Sequence, residues 1–536
     1  MDLKGIGSKA LWPTPDVATG KQAKDRYIKN DTWQPFLDLQ EIYPGNRGMT
    51  RHNTYDVFDI PFGVELKIET ADSSEPIIEG SEIWEGGLQP YYIWEDEGKY
   101  HMLYGAVTPK SGLCYANSED GYNWNKPKLR NREFQGSLDN NIAELGMLCV
   151  GIFQDPLCDP SERFKALAHS GGYFDADTDE LLESDEWRKR MKEIDYQGSN
   201  YKGPGMIGRN WLTGWISPNG KNWSKIEEPV ANNGADGGII VDYDPFTKEY
   251  FSYIRPSGVG RRAIGISKTK DFRNWPPPRL VMYPDHHDDL DVSFYGANYF
   301  KYPGLDDLHC TLVQIYHQII DSCDNQLAVS RDGLIWYRHR ESITPLGESG
   351  SGFEGMNRTW GGGLVVLPDG TWAIPHEGSG TLHNSSAGDK YNVFPDRGKI
   401  GQIRWGRWKP HRLCGIEAKQ EGKFTIQTVR LNGNELRFNY KCNRGGWINV
   451  ELLKQTPGRL NPDAAGEPGF EFEKCDRLTG NSLDSVVTWD GNSDISSIGE
   501  TVAIRISMFD AKIFAYKISG KNPNLKNTKD DVVPFD

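Results

Sequence analysis

A short segment recurs along this chain: Ser118-Glu119-Asp120-Gly121-Tyr122-Asn123-Trp124, Ser217-Pro218-Asn219-Gly220-Lys221-Asn222-Trp223 and Ser330-Arg331-Asp332-Gly333-Leu334-Ile335-Trp336. A looser copy runs from Ser267 to Trp275 with two extra residues, and Arg404-Trp405-Gly406-Arg407-Trp408 is a degenerate fifth. In the full copies an Asp or Asn precedes Gly, a pair suited to a tight turn: Gly supplies the positive φ and the Asx side chain caps the turn. The Trp then opens the next strand. Each copy marks one supersecondary unit that cannot bury its own faces, so the units must stack on one another.

Apolar segments around these turns align into five units, with paired inner strands expected at 88–94 and 100–104, 147–153 and 163–168, 238–243 and 250–254, 295–300 and 310–316, and 362–367 and 372–375. Five such four-stranded units predict an all-β five-bladed β-propeller over residues 80–411. Residues 1–79 read as an irregular lead-in with one strand at 64–68. From 412 to 520 the turn signature stops and alternating strands follow at 424–429, 435–440, 447–453, 485–489 and 501–508, the pattern of an accessory β-sandwich. Residues 521–536 are a polar tail. The insert at 171–210, with its charged 180–194 segment, is expected to be a helix or flap carried by the second unit.

The formal charge of −14 excludes a nucleic-acid or anionic-membrane surface as the natural partner. Seventeen Trp and 24 Tyr suit carbohydrate, whose C–H faces pack on aromatic rings, although β cores consume aromatics too. The cysteines are scattered without the paired spacing of a metal site. Met1-Asp2-Leu3-Lys4 has no apolar leader, which leaves a cytoplasmic chain or a secreted or periplasmic one whose leader was removed.

Propeller topology turns the repeat into a functional map. Residues just before each innermost strand and just after its neighbour converge on one funnel. They are Glu85, Glu144, Asp236, Asp291 and Glu354 on the way in, and His169, Arg255, His317 with Gln318, and His376 with Glu377 on the way out. Carboxylates on facing walls are what glycoside hydrolysis needs, one to protonate the departing oxygen and one to activate water or attack the anomeric carbon. Asp236, Glu354, Glu85 and Asp291 form the catalytic set, with Asp236 and Glu354 as acid/base partners. Glu144, His169, Arg255, His317, Gln318, Arg358, Trp360, His376 and Glu377 form the substrate-binding set, in which the arginines and histidines could hold hydroxyls or a carboxylate or sulfate substituent.

These features together resemble the five-bladed propeller glycosidases of the family 32/43/68 group, and most closely uncharacterised relatives of glycoside hydrolase family 32. Asp155-Pro156 followed by Glu162-Arg163-Phe164-Lys165 matches one motif of those relatives, and Trp489-Asp490-Gly491-Asn492-Ser493-Asp494-Ile495 a second. The resemblance implies glycoside hydrolysis of an oligo- or polysaccharide with no required cofactor. The chain lacks the Trp-Met-Asn-Asp-Pro-Asn-Gly and Glu-Cys motifs of true family 32 enzymes, so fructan specificity is not carried over. Gln154-Asp155-Pro156 looks like an Arg-Asp-Pro motif but occupies the same slot as Tyr243-Asp244-Pro245, which makes it a turn.

The run Asp285-His286-His287-Asp288-Asp289-Leu290-Asp291 carries hard oxygen ligands for a structural Ca²⁺, but adjacent residues lack ligand periodicity, and a solvated rim loop is the plainer reading. Gly361-Gly362-Gly363 precedes no helix and no Lys-Ser/Thr, so it is expected to let backbones approach near the channel rather than hold phosphate. Two other readings stand beside the enzyme: a carbohydrate-binding propeller without catalysis, and a protein-interaction scaffold.

Overall fold

The computed structural model describes residues 31–49, 55–107, 112–156, 158–182, 186, 206–232, 237–256, 260–383, 401–454, 465–499 and 501–523. The chain divides into two compact units, one of Ala71–Lys301 with Leu308–Arg407, the other of Met1–Thr70 with Tyr302–Asp307 and Trp408–Asp536. Both are built of strands, and among the described residues no helix is long and apolar enough to cross a membrane.

The first unit contains five antiparallel sheets in chain order. Their leading pairs are Glu85–Asp96 with Lys99–Val107, Leu148–Gln154 with Phe164–Asp175, Ile240–Asp244 with Glu249–Ile254, and Val292–Lys301 with His309–His317. In the fifth, Met356–Arg358 and Val365–Val366 both pair with Trp372–Ser379. The sequence suggests one continuous strand at 362–367. Instead Gly362 at φ +88° and Gly363 at φ +61° interrupt it, because strand backbone requires negative φ.

Close backbone contacts join the leading segments into a ring. A Cβ on Gly151 would lie 2.6 Å from the Ile239 carbonyl oxygen, one on Gly237 2.5 Å from that of Tyr295, and one on Gly361 would collide with that of Tyr91. Gly363 N–H donates to Asn298 Oδ1 at 3.0 Å, and Gln154 N–H to the Tyr92 hydroxyl at 3.2 Å, which completes the circuit. The five sheets thus stand about one axis as propeller blades. The outer edge of the fifth is closed by Asp72–Ser73 and Ile78–Glu79, which pair with Gln402–Trp408. The last eight residues of the predicted lead-in therefore belong to the ring, where they cover an edge that would otherwise stay unpaired.

Two full copies of the repeated turn share one complete hydrogen-bonding scheme, and among the described residues the Ser330–Trp336 copy keeps its Ser and Asp bonds without the indole bond. Ser118 Oγ accepts the Gly121 N–H at 2.9 Å, Asp120 Oδ1 accepts the Tyr122 and Asn123 N–H groups, and Trp124 Nε1 donates to the Gly121 carbonyl at 2.9 Å. Ser217, Asn219, Gly220 and Trp223 repeat it. In the looser copy Trp275 Nε1 donates to the Phe272 carbonyl at 2.7 Å. The same turns join blades: a Cβ on Gly220 would meet Trp94 at 3.0 Å, one on Gly121 would meet Leu367 at 2.7 Å, and Tyr253 donates to the Gly333 carbonyl. In the second blade, strands Phe164–Asp175 and Met206–Ser217 run on past the ring as a paired arm. The charged core of the insert, including most of 183–205, lies outside the described residues.

In the second unit, Cys414–Arg430, Glu435–Lys454 and Thr501–Ser519 form one six-stranded sheet with Asn481–Val486, Glu65–Ile68 and Gln34–Pro35. The two strands expected at 435–440 and 447–453 are one strand, offset where Cys442 gives way to Trp447. Such bulges bend long strands, and both halves bury side chains in a shared core that includes Phe424, Phe438, Ile448, Val450, Ile506 and Trp489. Glu69 ties the early segment down, accepting from Lys441 at 2.8 Å and Lys512 at 2.7 Å.

Candidate functional site

Where the leading strands enter the ring, side chains from all five blades meet near the axis. Glu377 is the centre of this group. Its Oε1 accepts from Arg358 Nη2 at 2.7 Å and its Oε2 from the Trp360 indole at 2.5 Å. Arg358 also lies over the Trp360 ring, 4.9 Å from its centroid. All three are nearly inaccessible to solvent. Burial opposes the Arg358 charge, but Glu377 more than offsets it and holds the guanidinium above its ordinary range.

Aromatic rings enclose the trio. Tyr91 of the first blade and Tyr295 of the fourth meet Trp360 edge-on at 6.4 and 5.8 Å. Tyr316 and His383 extend this wall, with His383 4.9 and 4.8 Å from the Tyr295 and Tyr316 rings. Arg262 of the third blade lies over Tyr295 and Tyr316 at 5.3 and 5.2 Å.

The second and third blades add Cys149, His169 and Arg255. Cys149 has φ +49° and its thiol is pushed up to about 11 by burial, despite the charges of Arg255 and Arg358. Burial and then Arg255 lower His169, while burial and then Arg262 lower Arg255. Arg255 and Arg262 therefore bring two mutually opposing positive charges to this face, beside an Arg358 that Glu377 compensates and a His169 held toward its neutral form.

Of the sequence-predicted residues, Arg358, Trp360 and Glu377 are in direct contact, and Arg255 and His169 belong to the same electrostatic neighbourhood. Strand alternation separates the next pair: Glu377 faces Arg358 and Trp360, whereas His376 faces Ser73 Oγ at 3.0 Å and the Phe353 ring. Burial, followed by the Arg404 charge, drives His376 down to about 3.

The acidic lead-ins are occupied locally. Glu85 is fully buried and takes four donors: Tyr104 Oη at 2.7 Å, Lys126 Nζ at 2.7 Å, and the Ser81 and Glu82 N–H groups. Glu144 forms a bidentate pair with Arg132. Glu354, half-buried, accepts from Gly352 N–H at 2.7 Å and more weakly from Gly350 N–H and Ser351 Oγ. Asp291 Oδ2 accepts the Ile319 N–H at 3.0 Å, while its carbonyl accepts from the Gln318 side chain at 3.0 Å. His317 pairs with Asp324 at 3.3 Å, a contact that raises the imidazole. Among the described residues no hydrogen bond or ion pair joins any two of Glu85, Asp291 and Glu354. Asp236 lies outside the described residues.

Two carboxylates of the 285–291 loop are taken up by arginines. Asp285 pairs with Arg340 at 2.6 Å, and Asp288 with Arg338 at 2.5 Å and Arg340 at 2.8 Å. Among the described residues no group of three or more His, Cys, Asp or Glu side chains is arranged to hold a metal ion. Asp155 ends its strand in a buried pair with Lys165 at 2.6 Å, shared with the Tyr250 hydroxyl at 2.7 Å. The Asp155-Pro156 and Glu162-Arg163-Phe164-Lys165 motif thus brackets a structural ion pair.

Below the entry face the axis holds a cavity of about 140 Å³ lined by Tyr92, Gln154, Asp242, Asn298 and the 361–363 glycines, among others. Burial pushes the Asp242 carboxyl up to about 6. Sequence reasoning missed Tyr91, Cys149, Arg262, Tyr295 and Tyr316. The available signal was positional: Tyr295 opens the strand segment assigned to the fourth unit, and Tyr91 and Cys149 lie near the entry points of the first two.

No family model matches the chain, and no curated protein matches it. Solved structures do. An N-acetylgalactosamine deacetylase from F. plautii, in complex with blood group B trisaccharide, is 12% identical with a TM-score of 0.39, over 65% of this chain and 94% of that one. A GH32 beta-fructofuranosidase from Bombyx mori is 10% identical with a TM-score of 0.36, over 85% and 94%. A structure described under the GH130 family of mannoside phosphorylases and glycoside hydrolases is 13% identical with a TM-score of 0.34, over 72% and 97%. None of these three reaches a TM-score of 0.5.

Proposed function

We infer that this protein is a glycoside hydrolase acting on an oligo- or polysaccharide at the entry face of the ring. The observation that carries this reading is the axial group itself: Trp360 flanked by Tyr91 and Tyr295, with Glu377 and Arg358 fixed beside it. Aromatic walls that also present polar groups suit sugar rings, whose C–H faces are apolar and whose edges are hydroxyls.

In this reading Asp236 and Glu354 act as acid and base. The acid donates its proton to the departing glycosidic oxygen, and the base takes a proton from the water that attacks the anomeric carbon. Glu354 suits the base, since its oxygens already serve as acceptors of N–H and O–H groups at the mouth of the fifth blade. Asp291 orients substrate at the rim. Glu85, closed in by its four donors, positions the first strand.

A carbohydrate-binding ring without catalysis is the second reading, favoured by the ion pairs that occupy Glu85, Glu144 and Glu377. Reducing-sugar release across fructans, arabinans and sulfated algal glycans separates the two, with wild type beside Asp236→Asn and Glu354→Gln. Hydrolysis that falls about 10²–10⁴-fold in both folded variants supports the assignment. Release retained in both removes these two residues from it. Binding of a glycan with no release from any removes the enzyme.

A further inference from the structure

We propose that the entry face takes a glycan whose bound sugar carries an oxyanion, a carboxylate or a sulfate ester, and that the guanidinium of Arg262 holds that group. This rests on the carbohydrate reading above and adds the class of sugar.

Arg262 is placed for such a role by its packing. Its guanidinium carbon lies 5.3 Å from the Tyr295 ring centroid and 5.2 Å from that of Tyr316, and both rings belong to the aromatic wall around Trp360. A guanidinium held against aromatic rings keeps its planar fork of N–H donors for a partner beside it, and that fork matches the paired oxygens of a carboxylate or sulfate. Among the described residues, no carboxylate or other acceptor takes a hydrogen bond from the Arg262 side chain. Its backbone carbonyl is used, accepting from Phe294 N–H at 3.0 Å. The preceding Arg261 is spent differently, donating to the Leu290 carbonyl at 2.6 Å.

The surrounding charge points the same way. Arg262 is close enough to Arg255 to oppose its charge, and Arg255 in turn opposes protonation of His169. Gathering cationic groups costs free energy, and an anionic ligand would offset that cost. Charge elsewhere decides the size of that anion. At −14 overall the chain repels extended polyanions at long range, so a cationic floor here fits short-range recognition of one oxyanion on a sugar rather than general capture of a polyanion.

The test is calorimetric binding with matched probes: oligogalacturonate against its methyl ester, and a sulfated galactan oligosaccharide against its desulfated form. Wild type, Arg262→Gln and Arg262→Lys are compared, with thermal melts to verify folding. The proposal expects wild type to bind at least one acidic probe in preference to its neutral partner, and the pair that shows the preference separates carboxylate from sulfate. Arg262→Gln should weaken acidic binding by about tenfold or more and so remove most of the preference over the neutral probe, the scale of a lost charge-assisted contact. Arg262→Lys, which keeps the charge but not the fork, should lose part of the preference, and it carries the comparison if Arg262→Gln does not fold. Equal binding of acidic and neutral probes, or an unaltered preference in the variants, overturns the proposal while leaving the carbohydrate site standing. Absence of binding to every glycan overturns both.

Discussion

Glu377 accepts from Arg358 Nη2 with one carboxylate oxygen, at 2.7 Å, and from the Trp360 indole with the other, at 2.5 Å. Arg358 and Glu377 are cross-strand partners, and Trp360 follows two residues after Arg358. One carboxylate therefore fixes both the strand pairing and the indole at the ring axis. Removing one member of a buried ion pair leaves the other charge uncompensated, which costs about 3–5 kcal/mol. Glu377→Gln should lower the chemical unfolding free energy by that amount, and adding Arg358→Met should recover part of it. A variant as stable as wild type would show that the pair does not hold the axis.

Asp155 and Lys165 offer a control away from the entry face. Their side chains are 0% and 5% exposed, and the Leu148–Gln154 strand separates Asp155 from Cys149 by about 20 Å at roughly 3.3 Å per residue. Asp155→Ala should destabilise by about 3–5 kcal/mol while glycan affinity in the folded fraction is unchanged. A loss of affinity at full folding would tie the motif to the site instead.

Two glycines separate backbone strain from packing. Gly98 has φ +72° with nothing within 4 Å of where an alanine methyl would stand, whereas Gly121 has φ +75° and would bring Cβ to 2.7 Å from Leu367. Gly98→Ala should cost about 1 kcal/mol, the penalty of the left-handed region. Gly121→Ala should cost about 1–3 kcal/mol more through overpacking. Equal melting-temperature losses would mean that the repeated turn does not carry the contact between blades.

Asp242 predicts a pH dependence. Its carboxyl is raised by burial from 3.8 to about 6, so between those values the folded chain holds a proton that the unfolded chain has released. Folding binds the extra proton, and stability falls as pH rises through this window, with the penalty fully present above it. Asp242→Asn removes the penalty. Relative to wild type it should gain on the order of 1–3 kcal/mol at pH 7.5 and little at pH 4. Unfolding free energies measured across that range would refute the assignment if the difference between the two proteins stayed constant.

Much of the architecture was legible because it is local. Ser118, Asp120, Gly121 and Trp124 satisfy one another within seven residues, so their spacing announces the turn, and its recurrence announces the blades. The Gly361–Gly363 run was legible as a place where backbones come close, but the partner was not: a Cβ on Gly361 would collide with the carbonyl oxygen of Tyr91, which belongs to the first blade.

The site was legible only in part. Glu377 followed from strand order, since the ends of neighbouring inner strands must meet at one face of a ring, whereas its contacts with Arg358 and Trp360 come from a cross-strand pairing that spacing does not give. Which acidic residues are taken up by other groups depended on how the chain folds back on them: Lys126 reaches Glu85 from 41 residues on, and the adjacent Gly350–Gly352 turn aims its N–H groups at Glu354. Nor could spacing place Arg262 against Tyr295 and Tyr316, which belong to the next blade. Local hydrogen bonding, written in consecutive residues, determined the turns, the strands and their repetition. The environment of each charge was decided by tertiary structure, because it depends on distances across the ring that sequence separation does not encode.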